Sequence, residues 1–105
     1  MENKVFSYMG FAAKARKLVT GYNTCVYMME KKKIRLLILT EDLSENSVKK
    51  MVTAAEKHRV PCKRFSTREQ LSKITGNADK GIYGITDDNF AKVISDGIDH
   101  IQSDK

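Results

Sequence analysis

The sequence predicts a three-layer α/β/α sandwich on a central mixed sheet of about four strands. Three observations predict it. Short apolar runs alternate with amphipathic segments along the chain, the pattern of a sheet covered on both faces. The run Ile34 to Leu39 is apolar except for Arg35, which suits a central strand buried on both sides. The chain has 105 residues, 41% of them apolar. That is enough for one core without metal or disulfide support and too little for two, so residues 1–105 are expected to form one domain.

The elements follow in order. Val5, Phe6, Met9, Ala12 and Ala13 recur at helical spacing, predicting a helix from about Lys4 to Lys17, with Lys14, Arg16 and Lys17 at its negative dipole end. Leu18-Val19-Thr20 reads as a very short strand, and Gly21 allows a sharp turn. A second helix is expected from Asn23, as N-cap, to Lys32, with Cys25, Val26, Met28 and Met29 on its apolar side. After the strand Ile34 to Leu39, Glu41-Asp42 closes the run, approaching the N-terminus of the next helix. Ser44 is the expected N-cap of that helix, which carries Val48, Met51, Val52 and Ala55 to about His58. Val60-Pro61-Cys62 breaks the helix and opens a strand ending near Phe65. Thr67 and Gln70 have capping-box spacing for a short helix with Leu71 and Ile74, stopped by Gly76. Ile82 to Ile85 is a strand. Thr86 is the expected cap of a last helix whose stripe is Phe90, Val93, Ile94, Ile98 and Ile101, fraying from Ser103.

Composition narrows the function. No apolar run approaches the ~20 residues of a membrane span, and no basic region leads into an apolar stretch at the N-terminus. The expectation is a cytoplasmic protein without membrane contact. Cys25 and Cys62 have no CxxC or zinc spacing and read as reduced, packed thiols; His58 and His100 read as isolated, solvated helix-end residues. No metal and no cofactor is expected. Phosphate-loop, dinucleotide and hydrolase motifs are missing. Glu41-Asp42, following a central strand, is the one pair that would suit magnesium or acid–base work, and an enzyme centred there is the least favoured reading.

The net charge is +6, unevenly spread. Residues 1–40 carry eight basic and two acidic side chains, whereas residues 76–105 carry three and six. Such an asymmetry suggests one positive face that attracts polyanions. Lys14, Arg16, Lys17, Lys31, Lys32 and Lys33 flank Gly21-Tyr22-Asn23-Thr24. A glycine at a strand-to-helix turn permits close approach of a nucleic-acid backbone, and the helix N-terminus offers N–H donors. Asn23 both donates and accepts, suiting a purine edge, and Tyr22 and Tyr27 suit stacking on unpaired bases. A capped, lysine-edged helix with two surface tyrosines explains the same residues without RNA.

Gly10-Phe11-Ala12-Ala13-Lys14-Ala15-Arg16-Lys17-Leu18-Val19-Thr20-Gly21 closely resembles the opening of bacterial YlxQ-type RNA-binding proteins, of the kink-turn-binding ribosomal-protein superfamily. Lys33 to Asp42, a basic residue before an apolar strand ending in Glu-Asp, resembles them too. So do Val60-Pro61, Leu71 with Lys73, Gly76, and Thr86-Asp87 followed by Phe90-Ala91. The likeness spans roughly residues 8 to 98. It implies the α/β/α sandwich and an RNA-binding edge where Gly21, Tyr22, Asn23 and Thr24 read sheared G·A pairs. It implies further contacts from Tyr27 and Lys31, Arg68 near phosphates in the loop Phe65 to Arg68, and a loop from Asn77 to Lys80 closing over a flipped nucleotide. Thr24 stands where the family usually has a glutamate and Tyr27 where it has a phosphate-meeting lysine; Asn77 and Ala78 replace a more apolar loop.

The expected function is therefore non-catalytic binding of a structured RNA, kink-turn-like or bulged, by a monomer. The ribosome is a further candidate partner. The competing reading is a protein-interaction module of the translation machinery with only non-specific RNA affinity.

Overall fold

The computed structural model describes residues 2–103. Nine elements alternate: α1 (Glu2–Lys14), β1 (Leu18–Thr20), α2 (Tyr22–Glu30), β2 (Leu36–Leu39), α3 (Glu45–Lys57), β3 (Cys62–Arg64), α4 (Arg68–Thr75), β4 (Ile82–Ile85) and α5 (Asp88–Ser103). The strands form one mixed sheet in the order β1-β4-β2-β3. β4 is antiparallel to both β1 and β2, and β2 is parallel to β3. The α/β/α sandwich expected from the alternation is present.

Side-chain alternation along the central strands builds both cores. Leu36, Ile38, Tyr83 and Ile85 face Val5 and Met9 of α1, Leu71 of α4, and Ala91, Ile94 and Ile98 of α5. Leu37, Leu39 and Ile82 face Cys25 and Met29 of α2 and Met51 and Ala55 of α3. All four residues of β2 and all four of β4 are buried, which is why both read as unbroken rather than alternating runs. Phe6 and Phe65 add a tilted ring pair at 5.3 Å in the first core.

Gly84 lets α2 lie against the sheet. A Cβ there would stand 2.6 Å from Ile34 Cδ1, 3.2 Å from Val19 Cγ2 and 3.3 Å from Cys25 Sγ. The cost of that contact is why β4 carries a glycine at a strand centre despite its poor strand propensity.

Several helix boundaries differ from the sequence expectation. α1 stops at Lys14, because Arg16 takes a left-handed conformation and Lys17 turns its N–H back to the Ala12 carbonyl. α2 begins at Tyr22; Gly21 is its N-cap, the Cys25 N–H donates to the Gly21 carbonyl, and Asn23 lies inside the helix. Ser44 caps α3 as expected, accepting from the Ser47 N–H at 3.2 Å. Thr67 accepts from the Gln70 N–H, but the reciprocal half of the capping box is absent: the Gln70 side chain accepts from the Ser66 hydroxyl instead. Gly76 ends α4 in the left-handed region, φ 76°. The cap of α5 is Asp87, which accepts from the Phe90 N–H at 2.9 Å, while the Thr86 N–H is committed to the Lys17 carbonyl. Val93 is 37% exposed, off the α5 stripe, and Ala91 and Gly97 take the buried positions beside Ile94 and Ile98. The expected fraying is not seen as far as Ser103, and Asp104 and Lys105 lie outside the described residues.

Asp42 reaches not the following helix but α4, where its carboxylate accepts from the Arg68 N–H at 3.2 and 3.3 Å. Partial desolvation pulls this carboxyl up. The Thr40 hydroxyl, the Arg68 N–H, Asp42's own N–H and the Arg68 charge outweigh it and hold the group below its ordinary 3.8. The buried Thr40 hydroxyl meets no partner in full hydrogen-bond geometry among the described residues, so it acts on Asp42 as a nearby dipole.

Two expectations follow. Gly84→Ala should lower stability by about 1–3 kcal/mol in urea unfolding, as overpacked cores do; an unchanged midpoint would mean that α2 is free to shift. The Asp42 contribution to stability is complete above pH ~4, its unfolded value, and disappears as pH falls through the lower folded value. Melting temperatures from pH 6 to 2 should therefore drop less steeply for Asp42→Asn than for the parent chain.

Candidate nucleic-acid interface

The register brings the C-terminal ends of β1, β2 and β3 and the N-terminal end of β4 to one edge of the sheet. Three backbone bonds tie the loops there: Gly21 N–H to the Ile82 carbonyl at 3.0 Å, Thr40 N–H to Gly81 at 3.0 Å, and Glu41 N–H to Ser66 at 2.8 Å. Residues 21–24, 40–43, 65–68 and 76–81 thus make one continuous rim.

Gly21 stands at φ 94°, a conformation that disfavours any side chain, and nothing lies within 4 Å of where its Cβ would be. The rim is therefore open at this point to a bulky backbone. No side chain caps α2. Its first-turn N–H groups, at the positive end of the helix dipole, remain available to an outside acceptor. Asn23 and Thr24 are exposed beside them, and Tyr22 is 42% exposed. Asn23, Tyr27 and Lys31 follow at four-residue intervals along one face of α2. Tyr27 is 58% exposed, and Lys31 Nζ lies 5.4 Å from its ring centroid, a cation–π contact on an aromatic platform.

Arg68 sits at the start of α4, half-buried, held by its N–H on Asp42. Gly81 leaves room for it: a Cβ there would come within 3.3 Å of Arg68 Nε and 2.9 Å of Leu43 Cδ1. Lys80 is exposed, and its N–H donates to Ser72 Oγ at 2.9 Å. Ser72 in turn meets the hydroxyl of the fully buried Tyr83 at 3.4 Å, so this polar chain anchors the loop 76–81 to the core.

The other sequence-predicted cations are not at this rim. Lys14, Arg16, Lys17, Lys32 and Lys33 lie at the opposite edge, where the Thr86 N–H meets the Lys17 carbonyl and the Arg35 N–H meets the Ile85 carbonyl. Proximity in sequence misled here. α2 runs from one edge to the other, and ten residues of helix separate Gly21 from Lys31 by about 15 Å.

Glu41 and Asp42 are occupied by backbone donors. Glu41 Oε1 accepts from the Ser66 N–H at 3.2 Å, as Asp42 does from Arg68. They fasten the β2–α3 turn to the β3–α4 turn, a connection across 25 residues that the sequence did not signal. Burial pushes the Cys25 thiol up to about 12, and burial also raises Cys62 against the pull of Arg64 and Lys63, so neither thiol is primed as a nucleophile. Both are free and packed. His58 caps the end of α3, half-buried, and His100 is exposed in the last turn of α5. Among the described residues no cluster of three or more His, Cys, Asp or Glu is placed to hold a metal, and no helix is long and apolar enough to cross a membrane.

The chain is similar to known proteins over most of its length. It is 33% identical to the RNA-binding protein YlxQ of Bacillus subtilis over 91 residues, 86% of this chain and 91% of the relative. It is 29% identical to the RNA-binding protein YlxQ of Enterococcus faecium over 89 residues, 85% of each. A protein of unknown function from Bacillus halodurans superposes with a TM-score of 0.89 at 28% identity, covering 91% of this chain and 97% of that one. The 15.5 kD RNA-binding protein of Giardia lamblia shares the fold, with a TM-score of 0.79 at 15% identity over 97% of this chain and 88% of its own. A family model matches residues 3–95, and the chain belongs to the ribosomal protein L7Ae/L30e/S12e/Gadd45 family.

Proposed function

We propose that this protein is a non-catalytic, cytoplasmic RNA-binding protein that takes a structured, kink-turn-like or bulged RNA at the loop rim. The observation that carries the reading is the uncapped N-terminus of α2 behind Gly21, with exposed Asn23 beside it, inside a rim of four loops. The names of the two bacterial relatives support it. The roles follow from chemistry. Gly21 permits close approach, and the first N–H groups of α2 meet phosphate or base acceptors. Asn23 reads a base edge. Tyr22 and Tyr27 stack on unpaired bases. Arg68, Lys80 and Lys31 meet phosphates. The protein acts as a monomer in a translation setting, with the ribosome as candidate partner.

Thr24 offers a neutral hydroxyl where an acidic acceptor would bond a guanine edge more strongly. Tyr27 stacks where a lysine would neutralise phosphate. Tyr27 thereby shifts the balance from charge toward stacking and fits an RNA with an unpaired, splayed base next to its kink.

The test is a titration at two salt concentrations against a kink-turn RNA, the same RNA with its G·A pairs replaced, and a plain duplex. Binding should weaken when the G·A pairs are replaced, and Asn23→Ala should cost about 1–3 kcal/mol on the intact kink-turn alone. Lys31→Ala should weaken all three RNAs alike and lower the salt slope by about one. Equal, salt-steep binding to all three RNAs would overturn the reading and favour a protein-interaction module.

A further inference from the structure

α1, α2 and α3 end at the edge of the sheet opposite the rim, and they end in the same way. In each, two N–H groups turn back onto the last turn. Lys17 donates to Ala12 at 2.8 Å and Arg16 to Ala13 at 3.1 Å. Lys33 donates to Met28 and Lys32 to Met29, both at 2.9 Å. Val60 donates to Ala55 at 2.8 Å and Arg59 to Glu56 at 3.2 Å. This is the Schellman closure, whose pivot residue is left-handed and usually glycine. The pivots here are Arg16, Lys32 and Arg59, at φ 59°, 58° and 57°. Gly76, which ends α4, shows that the chain uses glycine in such a place elsewhere.

A long side chain at a left-handed pivot costs roughly 1–2 kcal/mol, and its favourable interaction with the helix dipole recovers about 0.3–1 at an exposed site. Three such choices at one edge, all basic and all exposed, are thus retained against local stability. Lys17 and Lys33 follow two of the pivots directly. Two carboxylates at this edge are already engaged: Asp87 caps α5, and Asp88 pairs with Arg35 at 3.2 Å. Glu30, the last residue of α2, and Glu56, in the last turn of α3, are exposed at the same end, where they are outnumbered by Arg16, Lys17, Lys32, Lys33 and Arg59. Among the described residues no ion pair engages Arg16, Lys17, Lys32, Lys33 or Arg59. Four strands at about 4.8 Å spacing make this edge about 14 Å wide.

We propose that this basic edge is a second RNA surface, gripping the phosphates of a duplex arm that leaves the rim and runs down α2. The proposal rests on the rim reading. Asn23, Tyr27 and Lys31 mark the path, and its length of about 15 Å equals about five base pairs at the ~2.8 Å rise of an A-form RNA helix. The grip is sequence-independent, because it is built of cations without base-reading groups.

The experiment is an arm-length series on a kink-turn RNA, from two to ten base pairs, at several salt concentrations. For the parent chain, affinity and salt slope should rise once the arm passes about five base pairs. Two variants are compared. Arg16→Gly/Lys32→Gly/Arg59→Gly should melt no lower than the parent, bind the shortest arm nearly as well, lose the gain with length, and lower the long-arm salt slope by roughly two to three. Lys17→Gln/Lys33→Gln, which leaves the pivots untouched, should lose part of the gain. A length gain that persists in both variants, or no gain in the parent chain, overturns the proposal and leaves rim recognition standing. Length dependence without any effect of G·A replacement would instead sink the rim reading and leave the basic edge in place.

Discussion

The position of β4 is the constraint on which the rest depends. It arrives last of the four strands and inserts between β1 and β2, antiparallel to both. That insertion makes β1, β2 and β3 point the same way, so the three turns that follow them gather at one edge with the loop that precedes β4. It also places the one strand that must be narrowest under α2, which is why Gly84 sits opposite Cys25 and Ile34. Pairing β4 therefore completes the sheet, seats α2 and assembles the rim in one step. Because its partners are distant in sequence, this pairing carries a large share of the loop-closure entropy of folding.

The rim is held together by groups that an active-site reading would want free. Glu41 and Asp42 follow a central strand, where α/β proteins place catalytic groups. Here they accept backbone N–H bonds from Ser66 and Arg68. The turn after β3 is thereby fixed, Ser66 is kept in a left-handed conformation at φ 61°, and Arg68 is aimed across Gly81. Two of the rim's carboxylates thus shape its loops, Asp79 stays exposed on the loop before β4, and the donors and rings gather at the start of α2. That arrangement suits an anionic, base-bearing ligand better than a metal.

What the sequence made legible was whatever depended on neighbours in the chain. The Ser44 and Thr67 caps, the Gly76 stop and the buried pattern of Leu36 to Leu39 were all readable, since each is decided within four residues. Asn23 failed as a cap because Gly21 already supplies the turn and the first carbonyl, leaving the asparagine free for an outside partner. Asp87 displaced Thr86 because the pairing of Thr86 with Lys17 extends the strand ladder by one residue, and the first helical bond then falls on the Asp87 carbonyl. The Asp42 tie to α4 was invisible for the same reason: it links residues 26 apart. The basic residues flanking Gly21 looked like one cluster only while the chain was a line. Folding separates them from Gly21 by the length of α2.

That division changes how the charge should be understood. Cations near a base-reading site add affinity there, but cations at the far edge act on whatever part of a long polyanion reaches them. A short helix with an aromatic ring and a lysine on its outer face joins the two ends. Stacking, the role proposed for Tyr27, is local and depends on an unpaired base, whereas the field of the far edge is not local and depends on salt. Thr24 and Tyr27 leave the start of α2 without charge of either sign, while the lysines and arginines gather at the far edge. On the proposed reading, recognition of shape and attraction of backbone fall to different ends of the same helix, and a mutation at one end should leave the other function largely intact.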